Sequence, residues 1–66
     1  MNPGDLVRIN LPERYRSVPS YYYHNHLGLV LDIVKYESQG QPNRIAKVLV
    51  DGTERAFSER YLEVVK

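Results

Sequence analysis

His24 and His26 stand two residues apart, and on an extended backbone side chains at that spacing project to one side, as two imidazoles must to share a metal. A tetrahedral zinc site needs further ligands. The chain has no cysteine, so only a carboxylate such as Asp5, Asp32 or Glu13 could complete the set, and none of these stands at a recognisable ligand spacing. The expectation is therefore no metal and no cofactor. Surface or tyrosine-packed histidines are the plain reading of the pair, and a pH-sensitive contact is its second use, because imidazole changes charge near neutral pH.

Arg14 and Arg16 flank Tyr15, and Tyr21, Tyr22 and Tyr23 follow. Guanidinium groups grip phosphates and rings stack on bases, so these residues could hold RNA or DNA, with Arg44, Lys47, Arg55 and Arg60 extending the surface. The same residue types dominate protein interfaces, because each offers a large contact area with a polar tip. Charge separates the two uses. Nine Lys and Arg against eight Asp and Glu leave a net charge of +1, and Glu13, Glu54, Glu59 and Glu63 interrupt the basic positions, which weakens the electrostatic attraction that dominates nucleic-acid affinity. Protein docking is the first expectation and nucleic acid the second; the mixed charges of the second half read as a solvated face.

Nothing points to an enzyme. The chain lacks a phosphate-cradling glycine loop, a nucleophile elbow and a suggestively spaced carboxylate pair, while Ser17, Ser20, Ser38 and Ser58 fall in turns or at a cap. Sixty-six residues also leave little volume for a water-excluded pocket with a supporting shell.

The residues that could bind concentrate in one segment. Asn10 to His26 holds four of the six tyrosines, both histidines, two arginines and two prolines. Pro12 and Pro19 argue against a central strand or a helix, so the segment reads as a long loop, too aromatic for a disordered linker. Tyr21, Tyr22 and Tyr23 cannot all enter so small a core. The candidate partner-binding residues are thus Arg14, Tyr15, Arg16, Tyr21, Tyr22, Tyr23, His24 and His26, and replacing the three consecutive tyrosines by serine is expected to leave the fold intact. The plainer alternative is that alternate tyrosines cap one end of the domain.

The elements around this loop are short strands. Asn2-Pro3-Gly4-Asp5 is turn chemistry, and Val7, Ile9 and Leu11 then fall on one side of an extended Leu6-Val7-Arg8-Ile9. Leu27 to Tyr36 is nearly all aliphatic or aromatic, with Gly28 marking a bend or a close backbone approach, and the run Ser38 to Asn43 is rich in turn residues. Ala46, Val48 and Val50 alternate inward, Asp51-Gly52 signals a hairpin, and Thr53 to Phe57 returns. Ser58-Glu59-Arg60-Tyr61 reads as one helical turn capped by Ser58, before a last short strand at Leu62 to Val65. Asp32, the odd polar residue in an aliphatic strand, should face solvent or bond a nearby amide. Five short strands with one closing helical turn describe an all-β, single-domain, five-stranded SH3-like barrel.

Such a chain buries only about 60% of the surface its unfolded form exposes. No apolar run approaches the roughly 18 residues of a membrane span, and no charged-then-apolar leader follows Met1. The expected protein is soluble, unprocessed and not membrane-bound, in the cytoplasm or on a virion. There is no internal repeat of useful length. An exposed aromatic loop and unpaired rims also allow a homo-oligomer.

Gly4-Asp5-Leu6-Val7-Arg8-Ile9, Gly28-Leu29-Val30-Leu31-Asp32-Ile33, Ala46-Lys47-Val48-Leu49-Val50-Asp51-Gly52 and Phe57-Ser58 with Leu62-Glu63-Val64-Val65 together resemble the small SH3-like barrel proteins encoded by tailed bacteriophages, whose layout is shared by KOW-type modules. The resemblance covers both ends and the middle and skips the tyrosine-rich loop. It implies a non-catalytic part that docks on a larger protein assembly, of the virion or of the host. In addition, Arg8 to Tyr15 is similar to the start of the PsaE-type photosystem I subunit. Tyr23-His24-Asn25-His26 and Gln39-Gly40-Gln41-Pro42 are similar to stretches of the variable chain of ferredoxin:thioredoxin reductase. Both would imply a cofactor-free subunit that shapes a partner's docking surface in an electron-transfer complex.

Overall fold

The computed structural model describes residues 1–38 and 40–65. Five antiparallel strands form a single sheet: β1 (Leu6–Ile9), β2 (Leu27–Ser38), β3 (Gln41–Val50), β4 (Thr53–Ser58) and β5 (Leu62–Val64). Alternation sets which side chains enter the core. Val7 and Ile9 of β1, Val30 of β2, Ala46, Val48 and Val50 of β3 and Phe57 of β4 are buried in one cluster, and Leu11 closes it just beyond β1. Among the described residues no polar or charged side chain is buried with them.

The spatial order is β4-β3-β2-β1-β5. β4 and β5 are therefore the two ends of the sheet, and among the described residues no ladder joins them. A 3-10 turn at Glu59–Tyr61 carries the chain from one end to the other. Ser58 occupies the N-cap position of that turn but its side chain makes no capping bond, contrary to the sequence expectation. Instead Glu59 leans on the neighbouring strand, with Oε2 2.9 Å from Arg44 Nε of β3.

The turn expected across Ser38 to Asn43 is shorter than its composition suggests. β2 runs to Ser38 and β3 begins at Gln41, with Gly40 between them at φ 76°, a left-handed conformation that favours glycine. Gln39 lies outside the described residues. Between β3 and β4, Asp51 and Gly52 take φ 53° and 74°, two left-handed residues as a type I′ hairpin requires.

Gly28 marks a close backbone approach. A Cβ at this position would meet Cγ1 of Val48 and lie 3.1 Å from the Leu49 carbonyl oxygen. Between Val30 and Asp32 the β2–β3 register shifts by one residue, leaving Leu31 as the extra residue of a bulge, so the inward positions of β2 change parity there. Asp32 emerges exposed, and its Oδ1 accepts the N–H of Ile33 at 2.9 Å.

The segment from Asn10 to His26 is not the open loop expected. It is wound into two 3-10 turns, Glu13–Tyr15 and Pro19–Tyr23, because prolines stand at their starts, where a fixed φ fits and the missing N–H costs nothing. Bonds from Tyr15 N to Pro12 O at 3.0 Å, Tyr21 N to Val18 O at 2.9 Å and His24 N to Tyr21 O at 2.9 Å hold successive stages of this path. The segment then returns to its origin, where Asn25 N–H donates to Ile9 O at 2.7 Å and Ile9 N–H to His26 O at 3.0 Å. No helix among the described residues is long and apolar enough to cross a membrane.

Candidate functional site

The two 3-10 turns of the segment lie against β4 and against the third turn, and the tyrosines are sorted by this docking. Tyr21 and Tyr23, alternate residues of the second turn, pack half-buried on the core, while Tyr22 between them is 65% exposed. The three consecutive tyrosines are thus two structural rings and one surface ring. The tolerance expected of a triple serine replacement is corrected accordingly, because two of the three hold the segment to the core.

Tyr23 meets Phe57 edge-on with ring centroids 6.3 Å apart, and Arg55 of β4 lies over the Tyr23 ring, with the guanidinium carbon 5.6 Å from the ring centre and Nε donating to the hydroxyl at 3.3 Å. Tyr15 meets Tyr61 edge-on at 5.8 Å, and their hydroxyls are 3.1 Å apart. Arg14 covers the Tyr15 ring at 5.0 Å. Hydrogen bonding from Tyr61 first, and from Arg14 second, lowers the Tyr15 phenol below the ordinary tyrosine value. The same contact with Tyr15 is the main reason that the Arg14 guanidinium is raised.

Two adjoining depressions run between the segment and β4. One, of about 440 Å³, is lined by Pro19, Ser20, Tyr22, Tyr23, Arg55, Ala56 and Phe57. The other, of about 240 Å³, is lined mainly by apolar and aromatic groups, among them Leu11, Tyr15, Val18, Tyr21 and Tyr61. They share Ser20, Ala56 and Phe57, so they form one groove along the sheet edge. Among the described residues no acidic side chain lines it, and its one arginine is Arg55; Arg14 lines neither depression and lies over the Tyr15 ring. What the groove offers chemically is aromatic surface, hydroxyls and, at Arg55, a cation.

Four of the eight candidate residues, Tyr15, Tyr21, Tyr22 and Tyr23, line the groove. Arg16 does not: it pairs with Glu13 at 3.2 Å on the outside of the first turn. The histidines are not aligned on one side, since Asn25 between them takes φ 68° and breaks the extended path that the spacing argument assumed. His24 stacks on Tyr21 at 4.8 Å, and its Nδ1 accepts the N–H of Leu11 at 3.0 Å, which places the ring proton of the neutral form on Nε2. His26 turns to the β3–β4 hairpin, with Nδ1 2.7 Å from Asp51 Oδ2, so here Nδ1 carries the proton. Among the described residues no group of three or more potential metal ligands converges, and the carboxylate beside a histidine is Asp51 rather than Asp5, Asp32 or Glu13.

Of the opposite wall, sequence reading named only Arg55, as an extension of a nucleic-acid surface, and missed Ala56, Phe57 and Tyr61. One signal was there to find: Glu13-Arg14-Tyr15 and Glu59-Arg60-Tyr61 are the same tripeptide, each folds as a 3-10 turn, and the two tyrosines meet. Compared with protein-family models, curated proteins and solved structures, the chain finds no match.

Proposed function

We propose that this protein is a non-catalytic interaction module that docks a segment of a larger protein assembly in the groove between the tyrosine-rich segment and β4. In this reading it is of the kind represented by the small SH3-like proteins of tailed bacteriophages, acting in the host cytoplasm or on the virion. The observation that carries the reading is the tyrosine-walled groove, open along the sheet edge and, among the described residues, free of acidic lining. Such a groove suits an extended peptide whose apolar side chain fills the depression walled by Tyr15, Tyr21 and Tyr61, with a carboxylate against Arg55.

A KOW-like nucleic-acid binder is the second reading, favoured by the exposed Tyr22 ring beside Arg55, a pairing that also serves base stacking and phosphate contact. Against it, Arg16 is paired with Glu13 and the chain carries a net charge of only +1, which gives phosphate contacts little electrostatic support.

Affinity capture from the native source at about 150 mM salt, with and without nuclease, separates the two, because phosphate contacts weaken steeply with salt and vanish with the nucleic acid. A protein partner that survives nuclease and is lost with Tyr22→Ser and with Arg55→Ala supports the docking reading. Material lost on nuclease treatment replaces that reading with the second.

A further inference from the structure

β4 ends the sheet, and part of its backbone is unused. In the two-residue hairpin at Asp51-Gly52 the closing residues Val50 and Thr53 exchange their N–H and C=O groups, and the pairs Val48–Arg55 and Ala46–Phe57 repeat that exchange along the ladder. Glu54 and Ala56 fall at the alternate pairs, so their N–H and C=O groups point away from β3. Among the described residues no bond from elsewhere in the chain meets them. Ala56 lines both depressions. Its free donor and acceptor therefore stand in the groove itself.

An open sheet edge is matched by another extended backbone, which offers a donor and an acceptor together at every second residue. We propose, resting on the docking reading above, that the groove takes its partner by strand addition: an extended segment pairs with β4, and its central residue exchanges N–H and C=O bonds with Ala56. Antiparallel pairing lets one residue satisfy both groups and is the more stable per residue. Side chains opposite one another in a sheet share a face. The central side chain thus lies with Ala56 on the outer face, and its two neighbours point with Arg55 and Phe57 towards the tyrosines. In the antiparallel direction the preceding residue stands opposite Phe57, at the depression walled by Tyr15, Tyr21 and Tyr61, and the following one opposite Arg55. Arg55 is the one charged residue of either lining and takes part in no ion pair among the described residues. The segment recognised is an apolar residue, any residue, then Asp or Glu.

A second copy of the chain does not supply that pattern. Within β4 the carboxylate is Glu54, on the opposite face from Arg55, so no pairing of two β4 strands brings it to the guanidinium. In β5 Leu62 and Val64 pack on the core and Glu63 is exposed, which keeps its carboxylate off the inner face as well.

Selection of short random displayed peptides on the full chain at about 150 mM salt tests the proposal. The selected peptides should share an apolar residue two positions before an acid. A synthetic copy should lose affinity at least about tenfold when the residue between them is N-methylated, and equally against Ala56→Pro. That proline removes an N–H that β3 does not use, which an edge strand tolerates, so the far-ultraviolet circular dichroism should stay unchanged. Arg55→Glu should turn the acidic preference into one for Lys or Arg. Failure to select any peptide, selected peptides without the two-residue spacing, or an affinity indifferent to N-methylation overturns strand addition; should Ala56→Pro fail to fold, the N-methylated peptide decides. Capture from the native source distinguishes this failure from that of the docking reading. A protein partner kept by Ala56→Pro but lost with Tyr22→Ser and Arg55→Ala leaves groove docking standing without strand addition, whereas material lost on nuclease treatment removes both. A mass that doubles with concentration and returns to that of the monomer in Ala56→Pro puts a second copy on the edge and overturns the proposal too.

Discussion

The hydroxyls of Tyr15 and Tyr61, 46 residues apart in the chain, lie 3.1 Å from one another, and this bond joins the tyrosine-rich segment to the turn that precedes β5. The hydrogen bond with Tyr61, and Arg14 beside it, hold the Tyr15 phenol below its ordinary value. A spectrophotometric titration should show an early-ionising tyrosine that Tyr15→Phe removes, and Tyr61→Phe should move that early transition to higher pH. The sign for stability follows. At neutral pH Tyr15 is un-ionised in folded and unfolded chains alike and contributes nothing through this shift. The stabilising contribution grows as pH rises through the folded-state value and is complete above the unfolded value of about 10.

His24 is a structural acceptor. His24→Phe keeps a ring to stack on Tyr21 but leaves the Leu11 N–H beside the core without its partner. The expected cost is about 1–3 kcal/mol, measured as a lower urea midpoint with an unchanged slope. His24→Asn, which retains an acceptor, should recover part of that loss.

Gly28→Ala should destabilise by about 1–3 kcal/mol, because the added methyl enters space held by Val48 and approaches the Leu49 carbonyl. Val48→Ala relieves only the first of these contacts. Chemical denaturation of both single variants and the double variant should therefore show coupling, with the double losing less than the sum of the singles.

The three neighbouring tyrosines should behave differently. Tyr22→Ser removes a ring that is 65% exposed and should shift stability by no more than about 0.5 kcal/mol. Tyr21→Ser or Tyr23→Ser removes a half-buried ring packed on the core and should cost about 1–3 kcal/mol. Thermal melts of the three variants check the contrast, and equal losses would contradict the packing described.

Much of the sheet was legible because period-two alternation is a strong signal when only one face is buried. Val7, Ile9 and Leu11 were assigned inward from it, as were Ala46, Val48 and Val50, and all six are buried. Asp51-Gly52 fixed its hairpin through backbone preference alone. The two 3-10 turns were not legible, since a turn of three to five residues is too short to show periodicity and its prolines argue equally for a loop. The bulge at Leu31 was hidden because β2 is aliphatic on both sides, so a change of parity leaves no trace. Half of the groove was found through its dense tyrosines. The other half depends on which residues β4 presents beside them, a consequence of sheet register that local composition does not encode.

The strand order also dictates when the groove comes into being. β2, β3 and β4 pair with neighbours in sequence, whereas Val7 reaches Val64 only when nearly the whole chain has been drawn together. Closing that long span costs the most chain entropy, so the β2–β3–β4 meander is the natural early structure and the β1–β5 pairing the late one. Tyr61 stands immediately before β5, and its carbonyl receives the Asn10 N–H at 2.7 Å where β1 gives way to the tyrosine-rich segment. Both walls of the groove consequently meet in the last step of assembly, and a partner that grips Tyr15 and Tyr61 together selects chains that have finished folding.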